Sequence, residues 1–171
     1  MKIRRAVLTD AANIAQVHVK SWQQSYKGLV DSDYLAQMSI EERTAKWEKW
    51  LRQGNSHIVL VLEDDERNLC GFISGGAIRS HHPNAGEVYA FYLLKHVQQK
   101  GFGTKMLRMF VTELAAIDKN SMIVWVLKDN PAKQAYISLG GKKIDEEQIL
   151  IGKQELTEEC FAWFDLQGIR T

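Results

Sequence analysis

Apolar positions recur at helical spacing in the first third of the chain and alternate or run together afterwards. Residues 2–7 read as a first strand. Thr9 offers a side-chain oxygen to cap a helix, and Asp10 suits its first turn. Ala11, Ile14, Ala15, His18 and Trp22 keep the three-to-four spacing, which carries that helix to about Tyr26 before Gly28 ends it. A short helical piece is expected over 33–37. Ser39-Ile40-Glu41-Glu42 has the S-x-x-E spacing of a capping box and opens a helix with Ile40, Trp47 and Leu51 on one side, ending at Gly54.

Strand character follows. HIVLVLE from His57 is an apolar strand, and the segment from Leu69 to Ile78 is another, weakened by Gly75-Gly76. From Gly86 a strict alternation sets Glu87, Tyr89, Phe91 and Leu93 against Val88, Ala90 and Tyr92. Residues 103–118 form the clearest helix, with a stripe of Met106, Leu107, Phe110, Val111, Leu114 and Ala115. MIVWVL from Met122 reads as a strand covered on both faces. Ala132, Ala135, Tyr136 and Leu139 share a face of a short helix after Pro131, which Gly140-Gly141 closes. Two final strands flank the Gly152-Lys153 turn. The order predicts a mixed α/β domain.

The chain has 171 residues, 45% hydrophobic and 25% charged, enough for one domain spanning residues 1–171. A formal net charge of +1 gives no support for nucleic-acid binding. The N-terminus has no apolar stretch of the signal-peptide kind before Asp10, and the longest apolar run is far short of the roughly 20 residues that span a bilayer. Cys70 and Cys160 form no C-x-x-C pair and read as reduced thiols, so a cytoplasmic protein is expected, without membrane contact. His81-His82 before Pro83 read as a loop between strands. Adjacent histidines rarely share one ion and no cluster completes a ligand set, so no metal is expected.

The stretch VQQKGFGTKM carries the candidate chemistry. Gly101 and Gly103 let backbone approach a ligand, and free N–H groups at the start of the following helix suit an anion. The Walker and Rossmann patterns are not met: G-K-[ST] is missing, and position 106 is Met. On local features the loop is equally a phosphate cradle and a plain helix start.

With its neighbours the loop becomes specific. EVYAFYL from Glu87 to Leu93, followed by Q-x-x-G-x-G, resembles the acetyl-CoA-binding motif of the GNAT N-acetyltransferase superfamily. WVLKDNPAKQAYISLGG, from Trp125 to Gly141, is similar to the next family motif. The paired helices before Leu51 resemble those covering the substrate in one bacterial branch. The resemblance implies one mostly antiparallel, mixed sheet of about seven strands, splayed at a central parallel pair and flanked by helices. It implies acetyl-CoA as co-substrate, held by main chain of Phe91, Tyr92 and Leu93, by the amides of Gln98, Gln99, Lys100, Gly101, Phe102, Gly103 and Thr104, and by Asn130. It implies direct transfer to a primary amine, on a small molecule or a protein, with Glu87 as general base and Tyr136 as proton donor to the leaving thiolate.

Trp22, Tyr26 and Tyr34 could form an aromatic wall for the acceptor, or equally a core stripe. Gln99, Ala135, Gly141 and Lys95 depart from the family pattern. Ala135 and Gly141 replace phenylalanines, which predicts extra space near the cofactor or the closing hairpin. Many relatives dimerise through their last strands, which makes residues 160–166 a candidate homodimer interface. A CoA-binding module without turnover is the alternative reading.

Overall fold

The computed structural model describes residues 1–54, 57–79 and 85–170. His81, His82 and Pro83 lie outside the described residues. The described elements are β1 (Lys2–Arg5), α1 (Ala11–Ser25), α2 (Ser32–Ala36), α3 (Ile40–Leu51), β2 (His57–Glu63), β3 (Leu69–Ala77), β4 (Gly86–Leu93), α4 (Phe102–Ala115), β5 (Met122–Leu127), α5 (Lys133–Ser138), β6 (Lys142–Ile151), β7 (Gln154–Trp163) and α6 (Gln167–Arg170). One seven-stranded sheet runs in the order β1-β2-β3-β4-β5-β7-β6. Among the described strands, only β4 and β5 pair in parallel; the other neighbours are antiparallel.

Start signals decide where the helices begin. Ser39 Oγ accepts the Glu42 N–H at 3.1 Å, as its spacing predicts. Thr9 does not cap α1. A 3-10 turn over Leu8–Asp10 intervenes, and Asp10 at the N-cap makes no capping bond to α1; its carboxylate instead accepts the Val7 N–H at 2.8 Å and two bonds from Arg4 at 2.7 and 3.0 Å. Ile40 is exposed rather than packed, because the first turn of α3 stands clear of the sheet, whereas Trp47 is fully buried against Phe72 and His18.

α1 and α3 cover one face of the sheet. α4 covers the other, with Met106, Phe110, Val111 and Leu114 fully buried. The Gly75-Gly76 pair does not break β3. A Cβ on Gly75 would stand 2.5 Å from Phe110 Cζ and 2.1 Å from the Glu87 carbonyl, so its missing side chain is what lets α4 and β4 close on the strand. Beside it the β3–β4 register passes from Ser74↔Ala90 to Gly75↔Val88, which leaves Tyr89 as an unpaired bulge residue.

That bulge overturns the strict alternation expected along β4. Gly86 backs onto Leu114 of α4, so Glu87 faces the other side, toward α1. Past the bulge Tyr92 is on the α1 side, stacked on His18 with ring centroids 5.3 Å apart, while Phe91 lies beside Gly103 at the start of α4. Glu87 and Phe91 therefore occupy opposite faces. The expected interface at 160–166 also meets an obstacle. β7 is an inner strand with Cys160, Phe161, Ala162 and Trp163 buried, so the open sheet edge at this end belongs to β6.

Candidate active site

β4 and β5 pair only from Gly86↔Met122 to Val88↔Val124. β4 continues along β3 to Leu93↔Gly71, and β5 continues along β7 to Leu127↔Glu158. The two inner edges thus diverge with unpaired backbone between them, and such groups call for a partner. A cleft of about 1100 Å³ occupies the gap, lined by both edges, by Gln98, Gln99, Gly101, Gly103 and Thr104, and by Asn130, Ala132, Ala135 and Tyr136.

The loop is built to present N–H groups. A 3-10 turn over Lys95–Val97 leads into Gln98, whose main-chain N–H donates to the Lys95 carbonyl at 3.2 Å and whose side-chain Nε2 donates to the Leu93 carbonyl at 2.7 Å. Gln99 and Gly101 adopt φ of 58° and 80°, a left-handed conformation that glycine takes without strain. Among the described residues no side chain caps α4, and its first ladder bond runs from the Lys105 N–H to the Gly101 carbonyl at 3.1 Å. The N–H groups of Phe102, Gly103 and Thr104 consequently have no acceptor within the helix, the arrangement that attracts an anion. Lys100 and Phe102 do not line the cleft with side chains: Lys100 is exposed, and Phe102 packs on the core.

Beyond the loop, Asn130 is buried and its side chain accepts the Ala132 N–H at 2.9 Å. Tyr136 is buried with its ring edge-on to Trp163 at 6.0 Å, yet it lines the cleft and its hydroxyl has no hydrogen-bond partner among the described residues. Burial and the neighbouring Tyr26 hold that phenol well above the ordinary tyrosine range. Ala132 and Ala135 are exposed to the cleft rather than packed with Tyr136, so their face of α5 is a cavity wall. The space expected at Gly141 is not open. A Cβ there would stand 2.7 Å from the indole of Trp163, whose Nε1 donates to the Leu139 carbonyl at 2.8 Å.

At the other end stand Trp22 and Tyr26, 4.8 Å apart in edge contact. Trp22 Nε1 donates to the Tyr92 hydroxyl at 3.0 Å, and the Tyr26 and Tyr92 hydroxyls are 3.3 Å apart. Tyr34 is not brought to the cleft. It packs under the Gly152 turn and on Trp22, within a second apolar cluster that anchors α2 to the closing hairpin.

Glu87 is buried, and Arg79 holds it through three bonds: its N–H at 2.9 Å, Nε at 3.2 Å and Nη2 at 2.6 Å. Arg79 itself stacks on the Tyr89 ring at 4.2 Å. Across the splay Glu158 lines the same cleft, directly opposite Glu147 on β6. Burial, then the charge and hydrogen bond of Glu147, push the Glu158 carboxyl up to about 7, with Glu87 adding to the rise and Arg79 opposing it. Arg79, Glu147 and Glu158 escaped the sequence reading. A two-residue turn at Gly152-Lys153 fixes the hairpin register and sets Glu147 against Glu158. Like charges directly opposite are unfavourable on a sheet, and that was the available signal.

The family model for FR47-like proteins matches residues 75–150. The uncharacterized N-acetyltransferase YuaI of Bacillus subtilis (strain 168) is 34% identical over 170 residues, covering 99% of this chain and 96% of YuaI. Among solved structures, PaiA N-acetyltransferase of Thermoplasma acidophilum in complex with coenzyme A superposes with a TM-score of 0.71 at 21% identity, over 92% of this chain and 96% of that one. The GNAT superfamily phosphinothricin acetyltransferase of Sinorhizobium meliloti, in complex with acetyl-CoA, gives 0.70 at 20% identity over 95% and 86%.

Proposed function

The chain belongs to the GNAT superfamily of N-acetyltransferases, and from that premise we propose that it transfers acetyl from acetyl-CoA directly to a primary amine, on a small molecule or a protein. One observation carries the reading. The cleft in the β4–β5 splay joins an uncapped α4 N-terminus at one end to a carboxylate-bearing chamber at the other. That is the layout needed to hold a long anionic co-substrate by one end and expose its reactive end to an amine.

Gln99, Lys100, Gly101, Phe102, Gly103 and Thr104 would hold the pyrophosphate through main-chain N–H groups, whereas the Gln98 main-chain N–H is already given to the Lys95 carbonyl and braces the loop. The free edge of β4 at Phe91, Tyr92 and Leu93 would pair with the pantetheine arm, and Asn130 would steady it from the β5 side. Acetyl-CoA supplies a thioester, activated for attack at its carbonyl carbon. An N–H on the splayed edge of β4 would stabilise the oxygen as it gains charge. The Tyr136 hydroxyl, held protonated by burial and unpartnered among the described residues, is suited to donate its proton to the departing sulfur. Trp22 and Tyr26 would wall the acceptor, and Glu87 would hold Arg79 beside it.

The test is thiol release from acetyl-CoA across a panel of small amines and lysine or N-terminal peptides. Release that depends on an amine, with the acetylated product seen by mass, supports transfer. Tight coenzyme A binding without release for any amine refutes it in favour of a binding module.

A further inference from the structure

Resting on the acetyl-transfer reading, we propose that Glu158, held opposite Glu147 across the β6–β7 ladder, takes the proton from the acceptor amine, and that Glu147 is its positioning residue. The sheet supplies the geometry. Leu127 pairs with Glu158 and Ile123 with both Ala162 and Glu87, so Glu87, Trp125 and Glu158 share the face toward α1. Trp163, five residues beyond Glu158 on an unshifted stretch of β7, points to the opposite face and carries Tyr136. Glu158 and Tyr136 therefore flank the splay from opposite faces of the sheet while lining one cleft. A transfer that receives its nucleophile from one side and expels its leaving group to the other needs a proton acceptor and a proton donor placed this way.

Glu87, on the same face, is poorly suited to the task. Its carboxylate accepts three bonds from Arg79, and protonating it would strip a permanent cation of its partner. Among the described residues Glu158 forms no ion pair with a cation, and its cross-strand neighbour is another carboxylate.

An ammonium N–H bond breaks and the proton goes to a Glu158 oxygen, directly or through one water. The freed nitrogen pair forms the C–N bond at the thioester carbon. Collapse breaks the C–S bond, and its electron pair leaves with sulfur, which takes the Tyr136 proton. The second proton, lost by the adduct nitrogen, restores Tyr136. Amide, thiol and one proton result, the last released to solvent from Glu158.

The ionisable groups facing Glu158 are Glu147 from β6, Arg79 beyond β3, Glu87 from β4, Tyr26 at the end of α1 and Cys160 on its own strand. Below about 7 the Glu158 carboxyl holds a proton and cannot accept another, so kcat/KM should rise with pH through that value. Glu147→Gln removes a like charge, which should move this limb to lower pH; a purely structural role would not.

The experiment has two arms on the full chain. In the first, the Glu158 side-chain carboxyl is titrated by carbon NMR in the wild type and in E147Q, which requires no acceptor. In the second, pH–rate profiles are measured for wild type, E158Q, E147Q and E87Q with the best amine of the panel, and coenzyme A affinity confirms that each variant is folded. The expected result is a Glu158 midpoint near 7 that falls in E147Q. E158Q should lose roughly 100-fold or more of kcat/KM at neutral pH together with the limb, and E87Q should keep the limb. A Glu158 midpoint below about 5 overturns the assignment whatever the activity, as does E158Q with a wild-type profile or E87Q with the limb abolished. A wild type that binds coenzyme A but acetylates no amine, with Glu158 titrating near 7, overturns the transfer reading and with it this role.

Discussion

Gly103→Ala separates a helix start from a phosphate cradle because the two roles respond with opposite signs. An added Cβ would meet only Leu93 Cδ1 at 3.5 Å and Phe91 Cζ at 3.8 Å, both ordinary contacts. Its φ lies outside the left-handed range, and position 103 is the second residue of α4. Alanine should therefore stabilise the helix by about 0.5–1 kcal/mol, because glycine loses more backbone entropy on folding. For a chain of this size that is a Tm rise of roughly 1–4 °C.

Binding should move the other way. The methyl group would crowd a surface where backbone N–H groups meet an anion, and losing one such charge-assisted bond costs about 1.5–3 kcal/mol. Coenzyme A affinity should then fall roughly 10- to 150-fold by calorimetric titration. Pantetheine, which lacks the pyrophosphate, should bind wild type and variant alike. Unchanged coenzyme A affinity, or an equal loss for pantetheine, refutes the cradle; a lower Tm refutes the packing. Gly101→Ala gives the contrast. Nothing lies within 4 Å of its Cβ, but φ is +80°, so stability should drop by about 1–2 kcal/mol from backbone strain alone.

Tyr136→Phe should lower kcat roughly 100-fold while leaving coenzyme A affinity intact, and wild-type turnover would reduce Tyr136 to packing. Burial, with the Arg43 charge adding to it, lowers the His18 imidazole to about 3, so it stays neutral where the unfolded chain would bind a proton. The stability it protects is complete above about 6.5 and lost as pH falls toward 3, by up to about 1.4 kcal/mol per pH unit. His18→Gln should flatten that slope in urea melts between pH 6.5 and 4. Burial pushes the Asp10 carboxyl up, but the Arg4 guanidinium and the Val7 amide together outweigh it and leave the carboxyl below its usual range. Its contribution is present above about pH 3.9 and is lost as pH falls through the depressed value, so Asp10→Asn should cost about 2 kcal/mol at pH 7 and progressively less as the pH falls through that value.

Most of the element order was legible because each start and stop is local. The Ser39 box, the α4 stripe and the MIVWVL run carry their own signals, and the structure keeps each within a few residues. The family followed from two motifs in sequence order. What stayed hidden depends on partners distant in sequence. Tyr34 joined an aromatic wall by proximity to Tyr26, but the closing hairpin draws it away to Gly152. Gly141 seemed to leave space that Trp163, more than twenty residues later, fills. Arg79 had no visible role until its three bonds to Glu87 were seen.

The bulge at Tyr89 is the deepest of these hidden features, because one residue decides which groups can meet. In a regular strand Glu87 and Phe91 would share a face, and the charged chamber would open beside the cofactor arm. The extra residue turns them apart. Phe91 goes with Gly103 to the α4 side, and Glu87 joins Trp125 and Glu158 on the other sheet face, the one α1 packs against. The cleft then passes through the sheet, with Tyr136 and the anion-accepting amides on one face and the carboxylates on the other. Gly75 sits opposite the irregularity, and Phe110 lies 2.5 Å from where its Cβ would be, so α4 packs directly against the strand that faces the bulge. The same local packing that closes the core thus sets the sidedness of the site.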